Sequence, residues 1–350
     1  MLLSTSPNMN FLMLFPLSSF AAAETLNYDL YPYNVTSLQD RLKSQPETEE
    51  INLTWTENSR IPAWFKGEYY NVGPGLFEVG DSKYNNFFDG LGAVTKFNFT
   101  TDLNKNTQKI TFTRKLIKSK AYEWNLQANK IVITEPGTYG EPDDIFEGLK
   151  KRGDFLEKGL RRLDYFESHT TDNSNVIAHN IYGHLLTMTE QPGMNVMDRK
   201  SLDTVLHLDI RDAANFPENF KIFSQTAHGF MDNADGKNAG GTVNFYNQMT
   251  GWYFFPDKTI PAVAYIIYKM PNINAYRNAT ASDFLKDITF GEPFVIDWSS
   301  IQYYHEGSIT ENYLILPFNS MEISPVEAMP INLMKGGPPL NAIKYRAVLD

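Results

Sequence analysis

The chain of 350 residues contains no cysteine. This absence excludes disulfides, thiolate nucleophiles, zinc sites with cysteine ligands and iron–sulfur clusters. Three motifs that are hard to disguise are also missing: the G-x-S-x-G nucleophile elbow, the G-x-x-x-x-G-K-[ST] phosphate loop and the H-E-x-x-H metal-binding helix. The sequence therefore argues against a serine hydrolase of that type, a P-loop enzyme and a zincin.

The composition is that of a folded protein. Hydrophobic residues make up 42% of the chain, aromatic residues 14% and charged residues 21%, which is ample for a packed core. The formal net charge is -10, with acids and bases interspersed along the chain. This charge balance argues against a nucleic acid as partner. Because no Ser/Pro-rich linker divides the chain after residue 60, we expect a single domain there.

The amino-terminal segment has features of a secretory signal peptide. Phe11–Ala23 is an apolar run that ends in three alanines, which suit signal peptidase, although no Lys or Arg precedes it. The run is too short to span a bilayer as a permanent helix, and no later segment reaches transmembrane length and hydrophobicity. We predict a signal peptide over residues 1–23 and an N-terminal extension over residues 24–57. A disordered start to the chain is the alternative.

Beyond residue 60 the chain reads as a succession of short strands. The segments are rich in β-branched and aromatic residues and are punctuated by Gly, Asn, Asp and Pro. The clearest predicted strands are Gln108–Thr113, Lys130–Thr134, His184–Glu190, Gly241–Tyr246, Ala262–Tyr268 and Asn312–Leu316. This pattern predicts an all-β fold, as a sandwich, barrel or propeller, and periodicity alone does not choose among them.

One helical insertion is predicted near residues 142–164. Pro142 and two acids suit a helix N-terminus, and apolar residues follow at helical spacing, namely Ile145, Leu149, Leu156, Leu160 and Leu163. We interpret it as a surface insertion packed on one face. The alternative is an amphipathic helix that contacts a membrane. The modest apolar face and several glycines argue against this alternative.

Six histidines are the candidates for metal chemistry. They are His169, His179, His184, His207, His228 and His305. Taken singly, each is more often a surface residue or a hydrogen-bonded core residue than a ligand. The five-residue spacing of His179 and His184 faces neither one side of a helix nor one side of a strand. The residues alone therefore give only a weak site signal.

A series of sequence blocks strengthens the case for a metal site at two of these histidines. They are Ile61–Gly67, Asn71–Asp81, Phe87–Gly90, Lys130–Thr138, Thr171–Val176, Leu186–Glu190, Thr226–His228 and Tyr304–His305. In order and rough spacing this series resembles the carotenoid cleavage oxygenases, a family of non-haem iron enzymes. The resemblance runs from about residue 58 to about residue 325. A collinear series of this kind is far more specific than any single motif.

The resemblance implies a seven-bladed β-propeller with Fe(II) on its axis. It also implies an oxygen-dependent scission of a conjugated double bond in a carotenoid or apocarotenoid, which yields aldehyde products. By this resemblance His228 and His305 are iron ligands, and Glu190 is a carboxylate that holds a ligand ring, for which His305 is the candidate. Neutral imidazoles suit Fe(II), and a carboxylate that accepts the outer ring N–H fixes the tautomer and orientation of the ring.

The sequence departs from the family pattern in three respects. The family carries four iron histidines, and no histidine follows His305. We therefore expect an incomplete propeller and a partial oxygenase domain over residues 58–350, from a truncated chain or from a degenerate non-enzyme. Gly229 follows His228 and Glu306 follows His305, where the family usually has other residues. We expect Glu306 to face outward, because neighbours on a strand point to opposite faces.

Two alternatives to the oxygenase stay open: a non-catalytic relative that binds a carotenoid or lipid, and an enzyme that isomerises a retinoid ester or cleaves another conjugated alkene. The expected partners are an apolar polyene and dioxygen, with peripheral membrane contact through an apolar rim that includes Ala328–Met334. The signal-like start predicts a secreted or ER-lumenal protein. The family resemblance instead implies a cytosolic or membrane-peripheral one.

Overall fold

The computed structural model describes the parts of the chain that carry the sheets. The described residues are 2–3, 43–53, 61–62, 64–102, 107–138, 140, 171–232, 241–258, 261–296, 302–317, 321–323 and 343–345. The predicted helix near 142–164, nearly all of the predicted signal peptide and the rim at Ala328–Met334 lie outside these ranges. In the described part of the chain no helix is long and apolar enough to cross a membrane.

Strands are the main regular secondary structure of the described residues, as the sequence predicts. The strands are β1 (Leu2–Leu3), β2 (Thr48–Leu53), β3 (Gly67–Leu76), β4 (Glu78–Val79), β5 (Ser82–Lys83), β6 (Leu91–Asp102), β7 (Thr107–Leu116), β8 (Ile177–Ile181), β9 (His184–Met188), β10 (Gly193–Met197), β11 (Thr204–Asp209), β12 (Phe220–Gln225), β13 (Phe230–Met231), β14 (Phe245–Tyr253), β15 (Ala262–Met270), β16 (Thr289–Phe290), β17 (Phe294–Ile296), β18 (Ser308–Ile309), β19 (Leu314–Ile315), β20 (Met321–Ile323) and β21 (Ile343–Tyr345). Two α-helices are described, α1 (Lys120–Ala128) and α2 (Ala281–Leu285), with 3-10 turns at Phe87–Asp89 and Ile210–Asp212.

All strand pairs are antiparallel. The first three sheets follow one another along the chain. The first sheet has the order β2-β7-β6-β3, the second β11-β10-β9-β8, and the third β12-β14-β15-β16 with β13 on β14 and β17 on β15. A fourth, smaller sheet has the order β1-β19-β18, and two-stranded ribbons join β4 to β5 and β20 to β21. Sheets built from sequence neighbours are typical of propeller blades.

The second sheet lies between the first and the third. All five residues of β9 and all five of β10 are buried, which requires cover on both faces because successive side chains of a strand point to opposite sides. Leu185 packs with Val94 of the first sheet, whereas its neighbour Leu186 packs with Phe245 and Ile266 of the third sheet. The alternation therefore stacks three sheets face to face.

The other face of the third sheet packs against the fourth sheet. Tyr246, Val263 and Tyr265 contribute to one cluster with Tyr304 and Leu314. Tyr265 and Tyr304 stack edge to face, with ring centroids 4.8 Å apart. This packing places the segment before β18 beside the end of the third sheet.

Buried polar side chains hold the first sheet to the second. Asp172 accepts the amide N–H groups of Lys120 and Ala121 at 2.9 Å each and thereby satisfies free donors at the start of α1. Asn195 of β10 donates to the Asp172 carbonyl at 2.7 Å, and His207 of β11 lies 2.8 Å from the Asn195 amide oxygen. Because buried polar groups are costly unless paired, this network fixes how the two sheets meet.

One predicted strand is wrong, and of the predicted strand Gly241–Tyr246 only the last two residues lie in a strand, β14. Residues Lys130–Thr134 do not form a strand. The amide oxygen of Asn125 accepts the backbone N–H groups of Val132 and Ile133, at 2.8 and 3.1 Å, so these donors are satisfied without a neighbouring strand. Ile133 is nevertheless buried at 3% exposure, which accounts for the apolar alternation that predicted a strand.

Candidate metal centre

Three connections between strands meet at one end of the stacked sheets. Glu190 lies in the turn from β9 to β10, and His228 lies in the turn from β12 to β13. His305 lies in the extended segment just before β18. Each residue belongs to a different sheet, so the face-to-face stacking described above brings them together.

The imidazoles of His228 and His305 lie next to each other. Their ring centroids are 4.5 Å apart and the ring planes make an angle of 60°. His228 is half-buried and His305 is exposed. The fold therefore brings together two side chains that lie far apart in the sequence.

Glu190 and Tyr303 hold the ring of His305. Oε1 of Glu190 lies 3.4 Å from Nδ1 of His305. The Tyr303 hydroxyl donates to Oε1 of Glu190 at 2.9 Å and lies 3.0 Å from Nδ1 of His305. The Glu190 carboxylate thus orients the ring of His305 through Nδ1, so Nε2 is the ring nitrogen that remains able to bind a metal.

The charges of these groups are coupled. Burial raises the pKa of Glu190, but hydrogen bonds from His305 and Tyr303 outweigh it, so the pKa is lowered and the carboxylate is ionised at neutral pH. The hydrogen bond to Glu190 raises the pKa of His305 despite partial burial. Burial, together with the nearby charge of His305, lowers the pKa of His228. His228 is therefore neutral at pH 7, the form in which an imidazole binds a metal.

Thr226 joins the two histidine segments through the backbone. Its hydroxyl donates to the carbonyl oxygen of His305 and accepts the backbone N–H of His228 at 3.1 Å. Thr226 is almost fully buried, at 1% exposure. One hydroxyl therefore sets the distance between the backbones that carry the two rings.

The histidine pair fits a divalent metal ion. Two imidazoles bound to one metal at about 2.1 Å have ring centroids roughly 4.6 Å apart when the two bonds meet at a right angle, and roughly 5.3 Å apart at the tetrahedral angle. The observed separation is 4.5 Å. Among the described residues, no three His, Cys, Asp or Glu side chains form a cluster that could hold a metal. The described part of the site therefore holds two adjacent imidazoles and one carboxylate beside the ring of His305.

The other described histidines lie outside this pair. His179 of β8 is hydrogen-bonded to the Ala227 carbonyl at 3.0 Å, and His207 of β11 to Asn195. His184 of β9 packs against Phe284, with ring centroids 5.7 Å apart. His169 lies outside the described residues.

The structure gives a reason for Gly229 and a position for Glu306. A Cβ on Gly229 would lie 2.1 Å from Cζ of Phe245, so the aromatic ring occupies the space that a side chain would need. Glu306 is exposed. The strand β18 begins only at Ser308. Glu306 therefore precedes the strand, and its exposure does not come from the alternation of side chains along a strand.

Comparison with known proteins identifies the family. The chain matches the family described as RPE65, retinal pigment epithelial membrane protein, over residues 43–346. The chain belongs to this family of carotenoid oxygenases.

Thr226 and Tyr303 are the residues of the site that sequence reasoning missed. Both lie inside or beside the recognised blocks, but the sequence does not show which group each hydroxyl will contact in the fold.

Curated relatives of this chain are longer than the chain itself. Beta,beta-carotene 15,15'-dioxygenase from Rattus norvegicus is 27% identical over 271 residues, which are 75% of this chain and 41% of that protein. The chain therefore spans less than half the length of this relative.

Solved structures show the same fold. A mutant of Synechocystis apocarotenoid oxygenase aligns with a TM-score of 0.61 at 18% sequence identity, covering 91% of this chain and 55% of that chain. The cobalt-substituted Synechocystis enzyme aligns with a TM-score of 0.55 at 19% identity, covering 87% and 53%. The layered antiparallel sheets described here are thus those of the apocarotenoid oxygenase fold.

Proposed function

We propose that this protein takes part in Fe(II)-dependent, oxygen-dependent cleavage of a conjugated double bond in a carotenoid or apocarotenoid. The pairing of the His228 and His305 rings at 4.5 Å, with Glu190 beside His305, is the observation that carries the proposal. Family membership and relatives named as dioxygenases support it. The described sheets are proposed to be blades of a seven-bladed propeller.

The protein groups have distinct roles in this proposal. His228 and His305 hold Fe(II) through neutral ring nitrogens, which suit this ion. Glu190 keeps the ring of His305 oriented by accepting at Nδ1, and Tyr303 holds the carboxylate in place. When bound, Fe(II) supplies the site at which dioxygen reacts with the polyene.

The proposed reaction is balanced without another co-reactant. One carbon–carbon double bond and one dioxygen molecule are consumed, and each carbon of the broken bond gains one oxygen atom as a carbonyl group. The products are two aldehydes. No external reductant is needed, because the four electrons that reduce dioxygen come from the double bond. An apolar polyene is the substrate class that the named relatives indicate.

A second function is favoured by one observation. The family resemblance implies four iron histidines, whereas the described residues contain no cluster of three or more metal-binding side chains. Two imidazoles bind Fe(II) less tightly than four. A non-catalytic role in binding a carotenoid or a similar lipid is therefore the alternative.

Incubation with β-carotene in detergent micelles and isotopically labelled dioxygen tests the proposal. We expect Fe(II)-dependent aldehydes that carry the label, and we expect His305→Ala to abolish them. Quenching of tryptophan fluorescence by the polyene without any aldehyde would contradict cleavage and support the binding role. Products without label would indicate a different reaction, such as isomerisation.

A further inference from the structure

His179 lies directly behind the backbone that carries His228. It is the third residue of β8 in the second sheet, and it is buried at 8% exposure. Its ring meets the ring of Phe245 edge to face, with centroids 5.0 Å apart. The second sheet thus reaches the third sheet at the turn that holds the metal-binding histidine.

The hydrogen bond of His179 defines its tautomer. Nε2 of His179 lies 3.0 Å from the carbonyl oxygen of Ala227. A carbonyl oxygen only accepts, so Nε2 carries the hydrogen and donates it. Ala227 is fully buried, so the Ala227 carbonyl would lose a partner in a dry environment if His179 were removed.

The carbonyl of Ala227 belongs to the same peptide group as the N–H of His228. That N–H donates to the Thr226 hydroxyl at 3.1 Å. Both polar groups of one peptide plane are therefore bonded, the carbonyl to His179 and the N–H to Thr226. Because a peptide group is rigid and planar, fixing both of its ends fixes the direction in which the Cα of His228 presents its side chain.

Phe245 limits movement on the other side of the same turn. Its ring contacts His179 and fills the space beside Gly229, where a Cβ would lie 2.1 Å from Cζ. The residue after His228 therefore packs on the aromatic ring that also supports His179. The side chains of His179 and Phe245 therefore form one contact surface beneath the turn.

We propose that His179 is a positioning residue of the metal centre, which holds the Ala227–His228 peptide so that the His228 ring stays beside His305. The inference rests on the proposed function, because it takes His228 to be a metal ligand. His179 acts through the backbone and does not itself bind the metal. Loss of its N–H donor lets the peptide rotate and weakens metal binding.

Three variants separate this role from simple packing. His179→Phe keeps an aromatic ring against Phe245 but removes the donor, whereas His179→Gln keeps an N–H donor. His184→Phe is the matched control, because His184 is a histidine of the adjacent strand with the same 8% exposure. In the part of the chain that the structure describes, neither ring nitrogen of His184 has a hydrogen-bond partner.

Anaerobic Co(II) titration of the full chain, followed by visible absorption, gives the metal affinity. We expect His179→Phe to weaken the affinity about tenfold, as other outer partners of metal ligands do, and His179→Gln to restore most of it. We expect His184→Phe to bind as the unaltered protein does. Equal affinities for His179→Phe and the unaltered protein would overturn the inference, and so would equal losses in His179→Phe and His184→Phe.

Amide hydrogen exchange of His228 in the metal-free protein gives a second readout. We expect the His228 N–H to exchange faster in His179→Phe than in the unaltered protein, and unchanged exchange would overturn the inference. If the unaltered protein bound no Co(II), the proposed function would fail on that result alone. The exchange measurement would still decide whether His179 holds the peptide.

Discussion

Glu190 and His305 form an acid–imidazole pair across two sheets, with Oε1 and Nδ1 3.4 Å apart. The Tyr303 hydroxyl lies within hydrogen-bond distance of both, at 2.9 Å from the carboxylate and 3.0 Å from the ring nitrogen. A carboxylate placed in this way stabilises the protonated ring and, in the neutral ring, selects the tautomer with hydrogen on Nδ1. The Glu190 carboxylate therefore affects both the protonation and the orientation of the His305 ring.

Replacement of Glu190 by Gln should lower the pKa of His305. The hydrogen bond to the Glu190 carboxylate is the main cause that raises the pKa of this histidine, and a neutral amide does not stabilise the imidazolium in the same way. Side-chain NMR of the metal-free protein across a pH series measures the shift. Glu311→Gln, which alters an exposed acid near β19, should leave the pKa of His305 unchanged. An unaltered pKa in Glu190→Gln would refute the pairing.

Glu68 should make stability depend on pH in the acid range. Burial raises its pKa, but hydrogen bonds from Lys96, Tyr70 and Arg199 outweigh burial and lower the pKa from 4.5 to about 2. A lowered folded-state pKa gives stability that is present above the unfolded value and is lost as pH falls through the folded value. The contribution is therefore complete at neutral pH and is lost between about pH 4.5 and 2.

Denaturant unfolding of the unaltered protein and Glu68→Gln at several pH values tests this dependence. The difference in the free energy of unfolding should be constant near neutral pH and should shrink between about pH 4.5 and 2. Glu292→Gln, an exposed acid, is the matched control and should show no such change. If the difference in the free energy of unfolding stayed constant down to about pH 2.5, Lys96 and Arg199 would not stabilise the ionised Glu68.

Asn173 should be essential for the junction of the first and second sheets. Its amide oxygen accepts the Gly92 N–H at 2.8 Å, and its amide nitrogen donates to the carbonyls of Asp89 and Gly90 at 3.1 and 3.2 Å. Asn173→Ala removes the partner of the Gly92 N–H and of the Asp89 carbonyl, whereas the Gly90 carbonyl keeps a donor in Asn175 at 2.8 Å. The two groups left without this partner should cost about 3 kcal/mol. The exposed Asn71→Ala should cost less than about 0.5 kcal/mol. Chemical denaturation measures both, and similar small costs would contradict the assignment.

Gly229→Ala should destabilise the turn after His228 because of one aromatic ring. The added methyl group would lie 2.1 Å from Cζ of Phe245, and overpacking of this kind costs about 1–3 kcal/mol. Phe245→Leu shortens the side chain, so the double variant should be more stable than the sum of the two single changes predicts. A thermodynamic cycle from thermal or chemical unfolding measures this coupling. Strict additivity would show that the ring and the glycine do not contact each other.

Much of the fold was accessible from the sequence because strands follow local patterns. The predicted strand Ala262–Tyr268 is confirmed within β15 (Ala262–Met270), and Gln108–Thr113 lies within β7. The strand expected at Lys130–Thr134 is wrong, because the side chain of Asn125, which no pattern predicts, satisfies the backbone there. The stacking order of the sheets depends on contacts between distant strands and was not accessible from the residues alone.

The candidate site was accessible only in part. The family resemblance singled out His228, His305 and Glu190, and the structure brings the three together. Thr226 and Tyr303 were missed because their roles come from hydrogen bonds to residues far along the chain. Polarity alone does not show which distant group a hydroxyl meets.

Anaerobic Co(II) titration of His228→Ala and His305→Ala tests the central claim most directly. We expect the unaltered chain to bind one ion, and each variant to lose more than about a hundredfold in affinity, beyond the 10–100-fold typical of outer partners. Either variant binding Co(II) with the stoichiometry and affinity of the unaltered chain would contradict the account.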